Sequence, residues 1–202
     1  MATFEQPHTV VKPADDVAGP KQGQWTYDHY AALPDDGQRY EIVDGVLYMP
    51  PSSPNDFHQG ASNLFATYLT IHVQFKGLGR VYAGPFDVRL ALNTVVQPDV
   101  IVILAENLHK ITRKGIIGIP DLAIEIASPS TKSYDRLVKW NAYARAGIQE
   151  YWIVEPLENT VEVLVLEDDT YKSLGVFSGE QTLPSRVVPD FPVRVKQQGN
   201  RI

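Results

Sequence analysis

The chain has 202 residues, of which 44% are hydrophobic and 21% charged, and it contains no cysteine, which excludes disulfides and cysteine nucleophiles. This composition favours one buried core, so we expect a single domain over 23–196, between a flexible segment at 1–22 and a tail at 197–202. A net charge of −6 argues against a general nucleic-acid-coating role, although it allows a local basic patch. No apolar run reaches the roughly 18–20 residues of a membrane span, and no secretory signal is evident, so we expect a cytoplasmic protein that does not bind membranes.

The first half of the chain alternates helical and β-rich patterns. The predicted elements are a helix, a hairpin, a second helix and a strand, at 27–33, 39–49, 54–76 and 80–90. Asp44-Gly45 between two β-rich runs is a strong hairpin signal. Asn93-Thr94 predicts a turn into the next strand, which holds Asp99.

The second half predicts a sheet with a helical crossover. After an irregular connection at 105–119, the predicted elements are a strand, a helix and three strands, at 121–127, 133–146, 151–154, 160–166 and 171–177. Gly147 is expected to end the helix. This helix is long enough to connect two parallel strands, so we predict an α/β fold with a mixed central β-sheet flanked by helices.

Two carboxylates lie within strands that are otherwise apolar. Asp99 precedes the apolar run 100–104, and Glu125 lies on a strand face with the small residues Ala123 and Ala127. A buried carboxylate costs several kcal/mol unless it is compensated, and a divalent cation is one such compensator. The alternatives are a solvated sheet face for Glu125 and an ordinary strand start for Asp99. The two carboxylates together point to a metal site more specifically than either does alone.

The predicted helix places Asp135, Lys139 and Tyr143 on one stripe, at i, i+4 and i+8. For Asp135 and Lys139 the simple interpretation is a surface salt bridge that contributes roughly 0.3–0.5 kcal/mol. For Lys139 the functional alternative is that its ammonium reaches the metal site. There it would orient an attacking water and stabilise the charge that grows on a phosphate.

These residues resemble a known pattern. Pro98-Asp99 followed by Glu125-Ile126-Ala127 looks like the PD-(D/E)XK phosphodiesterase motif. Further segments occur in a matching order, at 39–45, 85–90, 96–100, 125–131, 143–147 and 150–152. This succession, over about 25–195, is similar to the Uma-type family of restriction-endonuclease-like proteins in bacteria.

The resemblance implies a restriction-endonuclease-like core, a Mg²⁺ site that Mn²⁺ can also occupy, and a nucleic-acid substrate, with DNA favoured over RNA. By position, Asp99 and Glu125 become catalytic metal ligands, with the carbonyl of Ile126 as a third ligand. The lysine of the pattern would fall at Ala127, which cannot ionise. Lys139 takes the catalytic role of that lysine by position, from the following helix.

Five further residues are candidates for the surroundings of this site. Glu41 matches an acidic catalytic residue at the rim of such sites, and its alternative is a strand-surface acid. His58 either touches the site or is a partly buried, hydrogen-bonded histidine. Asp87 either supports the site or pairs with a neighbouring arginine. Gln97 lies two residues before the Asp99 position and is a candidate to orient water, and Tyr143 is a candidate to support the ligands.

A basic loop between the two carboxylate strands is the candidate nucleic-acid contact. It carries Lys110, Arg113 and Lys114, which would bind phosphates if the loop overhangs the site. The alternative is a solvated basic loop.

We therefore expect a Mg²⁺-dependent nuclease that hydrolyses phosphodiester bonds. The alternative is a catalytically inactive nucleic-acid or protein interaction module on the same fold. We also expect a homodimer or a larger homo-oligomer, with Tyr151-Trp152 or the carboxy-terminal strands as the contact face.

Overall fold

Two six-stranded mixed sheets, flanked by helices, make up the computed structural model, which describes residues 11–50, 56–192 and 194–195. Within these ranges the strands are β1 (Glu41–Val43), β2 (Val46–Tyr48), β3 (Gly79–Ala83), β4 (Val88–Ala91), β5 (Thr94–Val96), β6 (Val100–Leu104), β7 (Ile111–Thr112), β8 (Gly115–Ile117), β9 (Leu122–Ile126), β10 (Glu150–Glu155), β11 (Thr160–Glu167) and β12 (Thr170–Ser178). The α-helices are α1 (Tyr27–Ala31), α2 (Asp56–Leu69) and α3 (Trp140–Ala146). A π-helix, Thr70–Gln74, continues α2, a second one, Tyr134–Lys139, precedes α3, and a 3-10 helix covers Ala105–Lys110.

The central sheet has the strand order β12-β11-β10-β9-β6-β3, and the second sheet has the order β2-β1-β5-β4-β8-β7. In the central sheet β9 and β10 pair in parallel, and the other neighbours are antiparallel. The chain crosses from β9 to β10 through the π-helix Tyr134–Lys139 and α3, which ends at Gly147 with a φ of 91°. The predicted crossover helix, its glycine stop and the mixed sheet are confirmed.

The central sheet is buried on both faces. On one face, Phe65 and Leu69 of α2 pack with Ile124 of β9 and with Trp152 of β10. The opposite face, with Ala123, packs against residues that include Tyr143 of α3. Alternate residues of β9 therefore face opposite layers, as the period of two predicts.

The predicted strand over 80–90 is wrong as a single element. Its first part is β3, at the edge of the central sheet, and its last part belongs to β4 in the second sheet. The chain changes sheets between them, where the Gly84 N–H donates to the Asp99 carbonyl at 2.8 Å and the Gly84–Pro85 peptide is cis. Alternation of side chains is the same in both sheets, so the pattern does not reveal the change.

Two neighbouring predictions also need correction. The turn at Asn93-Thr94 leads into β5 of the second sheet, and the Asp99 strand follows only after it. The connection predicted as irregular, 105–119, contains the 3-10 helix and the short hairpin of β7 and β8. Strands of two or three residues leave too little alternation to be recognised in a sequence.

The described part of the predicted flexible segment contacts β2. Pro13 forms a β-bridge with Tyr48, and the buried Ala14 donates its N–H to the Leu47 carbonyl at 2.8 Å. Residues 1–10 and the predicted tail, 197–202, lie outside the described residues.

The face predicted for self-association is wrong in one part. Tyr151 and Trp152 are fully buried within a single chain, because β10 is an interior strand of the central sheet. The edge strand β12 exposes Leu174 and Val176. Self-association itself stays a prediction.

No helix within the described residues is long and apolar enough to cross a membrane.

A buried glutamate holds the carboxy-terminal segment against β10. Glu150 is fully buried, and its Oε1 accepts the Trp152 indole N–H at 2.6 Å. Its Oε2 accepts the backbone N–H groups of Arg186 and Val187, at 2.7 and 3.1 Å.

We expect Glu150→Ala to lower the free energy of unfolding by about 3 kcal/mol or more, because it leaves three N–H donors without their acceptor. Urea denaturation followed by Trp fluorescence measures this change. The matched control is Glu158→Ala, which removes a largely exposed carboxylate paired with Lys132 and should cost less than about 1 kcal/mol. Equal costs for the two variants would contradict this role of Glu150.

Candidate active site

The two predicted metal ligands lie opposite each other at one end of the central sheet. Val100 of β6 pairs with Ile124 of β9 in antiparallel register, and one further step places Asp99 opposite Glu125. Directly opposite residues of antiparallel strands project from the same face. Both carboxylates line a cavity of about 120 Å³, and both are buried.

Glu125 is fixed by two side chains from the crossover. Its Oε1 accepts a hydrogen bond from Lys139 Nζ at 2.9 Å and one from the Tyr143 hydroxyl at 2.6 Å. Lys139 ends the π-helix, and Tyr143 lies one turn further along, on α3. The predicted helical stripe therefore points at Glu125, whose predicted alternative, a solvated sheet face, is wrong.

The Lys139 ammonium lies among three carboxylates. Besides its bond to Glu125, Nζ is 3.1 Å from Glu41 Oε1 and 4.0 Å from Asp135 Oδ1. The most exposed of these four residues is Lys139, at 4%. The surface salt bridge expected of Asp135 and Lys139 is thus wrong, because both side chains are buried under the crossover.

Glu41 comes to the site from the second sheet. It lies in β1, is fully buried, and its Oε1 also accepts the Gln97 backbone N–H at 2.7 Å. Its Oε2 makes no hydrogen bond within the described residues. The alternative of a strand-surface acid is wrong for Glu41.

Asp99 is held from two directions. Its Oδ2 accepts the backbone N–H of Ile126 at 2.8 Å and lies 3.1 Å from His58 Nε2. Burial alone would raise the pKa of Asp99, but the hydrogen bond and charge of His58, with the Ile126 N–H and Lys139, lower it below its ordinary value. Asp99 is therefore a carboxylate at neutral pH, and His58 is in contact with the site.

The pKa values of the other groups move as burial and neighbouring charge dictate. Burial would lower the pKa of Lys139, but the charges of Glu125, Glu41 and Asp135 raise it, so this side chain is a fixed cation. Burial raises the pKa of Asp135 to about 7, against the opposing charge of Lys139. Burial also raises the pKa of Glu125, although the positive charge of Lys139 acts to lower it.

The donor set suits a hard cation in its chemistry. Carboxylate and carbonyl oxygens are the ligands that Mg²⁺ and Ca²⁺ prefer, and Asp99, Glu125, Glu41 and Ile126 all line the cavity. Glu41 Oε2 is a buried oxygen with no hydrogen bond in the described chain. In the described ranges, no group of three or more acidic or histidine side chains is arranged so that it could hold a metal ion. A cation would therefore rely on two carboxylates, a main-chain oxygen and water.

The other residues expected near the site form a supporting network. Asp87 accepts hydrogen bonds from the Tyr30 hydroxyl and from Gln97 Nε2, both at 2.8 Å. The second of its two predicted roles, pairing with the neighbouring Arg89, is wrong, because that guanidinium lies over the Tyr27 ring. Gln97 Oε1 accepts the Nε–H of Arg39 at 3.1 Å. Both polar ends of the Gln97 side chain thus hydrogen-bond to protein groups, and its expected role in orienting water stays a prediction.

The predicted basic loop lies elsewhere. Lys110 Nζ donates to the Ile119 carbonyl at 2.9 Å, and Arg113 and Lys114 lie in the β7–β8 hairpin at the far edge of the second sheet. Two strands, β5 and β4, separate this hairpin from β1, which carries Glu41. The lining of the cavity within the described chain does not include these three residues.

Several lining residues are absent from the sequence-based candidates. They are Arg39, Pro50, Ser128, Ser130, Thr131, Tyr134 and Asp135. Arg39 precedes the candidate Glu41 by two residues, and Asp135 shares the stripe of Lys139, so proximity in sequence was the available signal for both. Ser128, Ser130 and Thr131 form the turn after the Glu125 strand, where their hydroxyls hydrogen-bond to one another.

We expect Lys139→Met to lower the free energy of unfolding by about 3–5 kcal/mol, because it leaves buried carboxylates without their cation. Chemical denaturation measures the change, and Lys132→Met is the matched control, since that lysine is 42% exposed and should cost less than about 1 kcal/mol. Adding Glu125→Gln to Lys139→Met should restore part of the loss. A double variant no more stable than the single one would contradict charge compensation as the cause.

Comparison with known proteins places the chain in a family. A family model described as "Uma2: Putative restriction endonuclease" matches residues 27–196. Among solved structures, the chain is similar to the crystal structure, at 1.96 Å, of "a putative nuclease belonging to DUF820 from Anabaena variabilis ATCC 29413". The TM-score is 0.67 at 21% identity, with 86% of this chain and 97% of that chain covered. No curated protein matches the sequence. The structural likeness confirms the predicted restriction-endonuclease-like fold, and the family match over most of the chain establishes that this protein belongs to the Uma2 family.

Proposed function

We propose that this protein is a Mg²⁺-dependent nuclease that hydrolyses phosphodiester bonds of nucleic acid, with DNA favoured over RNA. The observation that carries the proposal is the placement of Asp99 opposite Glu125, with Lys139 Nζ 2.9 Å from Glu125 Oε1. Two carboxylates and a lysine within one cavity are the groups that the family's motif requires. Family membership supports the same reaction class.

Asp99, Glu125 and the Ile126 carbonyl would hold the cation, which when bound would activate water and neutralise phosphate charge. Asp99 is suited to this role because its lowered pKa keeps it ionised. His58 and the Ile126 N–H hold its Oδ2 in place.

Lys139 would act through its charge. Its raised pKa makes it a poor proton donor near neutral pH and a permanent cation, which suits stabilisation of the negative charge that grows on a phosphate. Glu41, in β1 of the second sheet, also contacts the ammonium and would help to fix its position. The lysine thereby replaces the one that the motif would place at Ala127.

We expect Asp99→Asn and Glu125→Gln, alone or together, to abolish saturable Mn²⁺ binding and to lower metal-dependent cleavage of plasmid or oligonucleotide DNA by at least about 100-fold. Both substitutions keep the shape of the side chain and remove its charge. Calorimetric titration measures binding, and gel assays measure cleavage.

The matched control is Asp121→Asn. Asp121 directly precedes β9, at the end of that strand away from Glu125. There it accepts hydrogen bonds from the Leu104 N–H and from Asn107. Its substitution should leave both Mn²⁺ binding and cleavage near wild-type values. Full cleavage by Asp99→Asn would refute the proposed nuclease.

The inactive interaction module has one observation in its favour. Lys139 already compensates Glu125 and Glu41, so the cluster can be a structural ion-pair network with no metal. Thermal denaturation separates the two functions. A real metal site should raise Tm with added Mn²⁺, by an amount set by the metal concentration relative to its Kd, and the Asp99→Asn/Glu125→Gln double variant should lose this rise. An unchanged Tm together with absent cleavage would favour the module. Cytoplasmic location and homo-oligomer formation stay predictions.

A further inference from the structure

Arg39 is a cation in an acidic site, and among the described residues it has no carboxylate partner. Its half-buried side chain lines the cavity that also holds Glu41, Asp99 and Glu125. Within the described residues it forms no ion pair with an acidic side chain, although other buried or half-buried cations of the site and its surroundings do. A guanidinium offers five N–H donors in a planar fork that matches phosphate oxygens.

Gln97 holds Arg39 in place without neutralising it. Arg39 Nε donates to Gln97 Oε1 at 3.1 Å, and its Nη2 donates to the Gln97 carbonyl at 3.3 Å. Gln97 is itself fixed, because its Nε2 donates to Asp87 and to the Tyr30 hydroxyl, and its backbone N–H donates to Glu41. The network therefore preorganises the cation relative to Glu41 and leaves its Nη1 group outside these bonds.

A second cavity, of about 440 Å³, adjoins the first and shares Arg39 with it. Its walls are mostly apolar or aromatic side chains between α1 and the Gly84–Pro85 turn, among them Tyr30, Leu33, Tyr40 and Pro85. This volume lies within the range of roughly 300–1,000 Å³ typical of small-molecule sites. Aromatic and apolar walls beside a fixed cation suit a nucleotide, whose base and sugar pack against the walls while its phosphate meets the charge.

We propose that Arg39 binds a backbone phosphate next to the reacting one, and that this second cavity receives the nucleotide that carries it. The proposal rests on the proposed function in taking nucleic acid as the ligand. It assigns substrate binding to α1 and the second sheet near β1, rather than to the basic loop that carries Arg113. Gln97 is the positioning residue for Arg39.

The test is fluorescence anisotropy with labelled mixed-sequence DNA, single-stranded and duplex, in EDTA so that binding is measured without cleavage. We expect Arg39→Gln to weaken binding of at least one probe about 10-fold and to reduce the slope of log K against log salt by about 0.7–0.9, the loss of one phosphate contact. Arg39→Lys should keep the salt slope but lose part of the affinity, because a lysine cannot make both bonds to Gln97. Arg80→Gln, on the exposed part of the edge strand β3, is the matched control and should bind within about twofold of wild type.

The outcomes separate this proposal from the nuclease. Binding by Arg39→Gln equal to wild type, or no binding of either probe by wild type, overturns the proposal, whatever the cleavage assay gives. Loss of binding in Arg39→Gln with no cleavage by wild type supports the proposal and refutes the nuclease. Should Arg39→Gln unfold, as judged by its Tm, Arg39→Lys decides alone, and an affinity equal to wild type overturns the proposal.

Discussion

The packing of the two sheets and the crossover depends on the ion pairs of the buried Lys139 ammonium. The ammonium bonds to Glu125 in the central sheet, contacts Glu41 in the second sheet, and is carried by the crossover that connects β9 to β10 along the chain. Burying the Lys139 ammonium with its three neighbouring carboxylates costs desolvation free energy, since Asp135 lies near it as well. Attraction between these groups offsets that cost only while all of them stay in place. The second sheet is therefore held to the central one partly by the same charge that the site would use in chemistry.

The site is tightly held by hydrogen bonds, yet it carries more acidic than basic side chains. The carboxylates of Glu41, Asp99, Glu125 and Asp135 outnumber the single ammonium among them. Burial raises the pKa of Asp135 to about 7, which reduces this excess of negative charge near neutral pH. His58 Nε2 lies 3.1 Å from Asp99 Oδ2 and holds that carboxylate in place. The proposed cation, or the phosphate that Arg39 is proposed to bind, would change this balance and would thereby link ligand binding to stability at the site.

Local periodicity predicted much of the fold and located part of the site. Alternation in β9 indicated which residues lie on the same sheet face as Glu125, and the i, i+4, i+8 spacing indicated that Lys139 and Tyr143 lie on the same side of the helix. The burial of Asp135 was not predictable, since a buried pair and an exposed pair have the same spacing on a helix. The split of 80–90 between two sheets and the meeting of Glu41 with Lys139 depend on contacts distant in sequence, which no local pattern encodes. Arg39 was missed because the position of its side chain depends on hydrogen bonds to Gln97, which is 58 residues away in sequence.

A lysine on the crossover differs physically from a lysine on the strand. A lysine at position 127 would follow β9 directly, so the strand would place its charge, whereas the position of Lys139 depends on how the crossover packs on the sheet. That packing is specific: Tyr143 and Tyr151 meet edge to face at 5.1 Å, and the Tyr151 hydroxyl donates to the Asp135 carbonyl at 3.2 Å. π-helical turns are rare in proteins as a whole but common at functional sites, and the second of the two described here, Tyr134–Lys139, ends at Lys139 itself. The position of the charge is thus set by aromatic packing between layers, so substitutions in that packing should disturb the site without touching any of its charged residues.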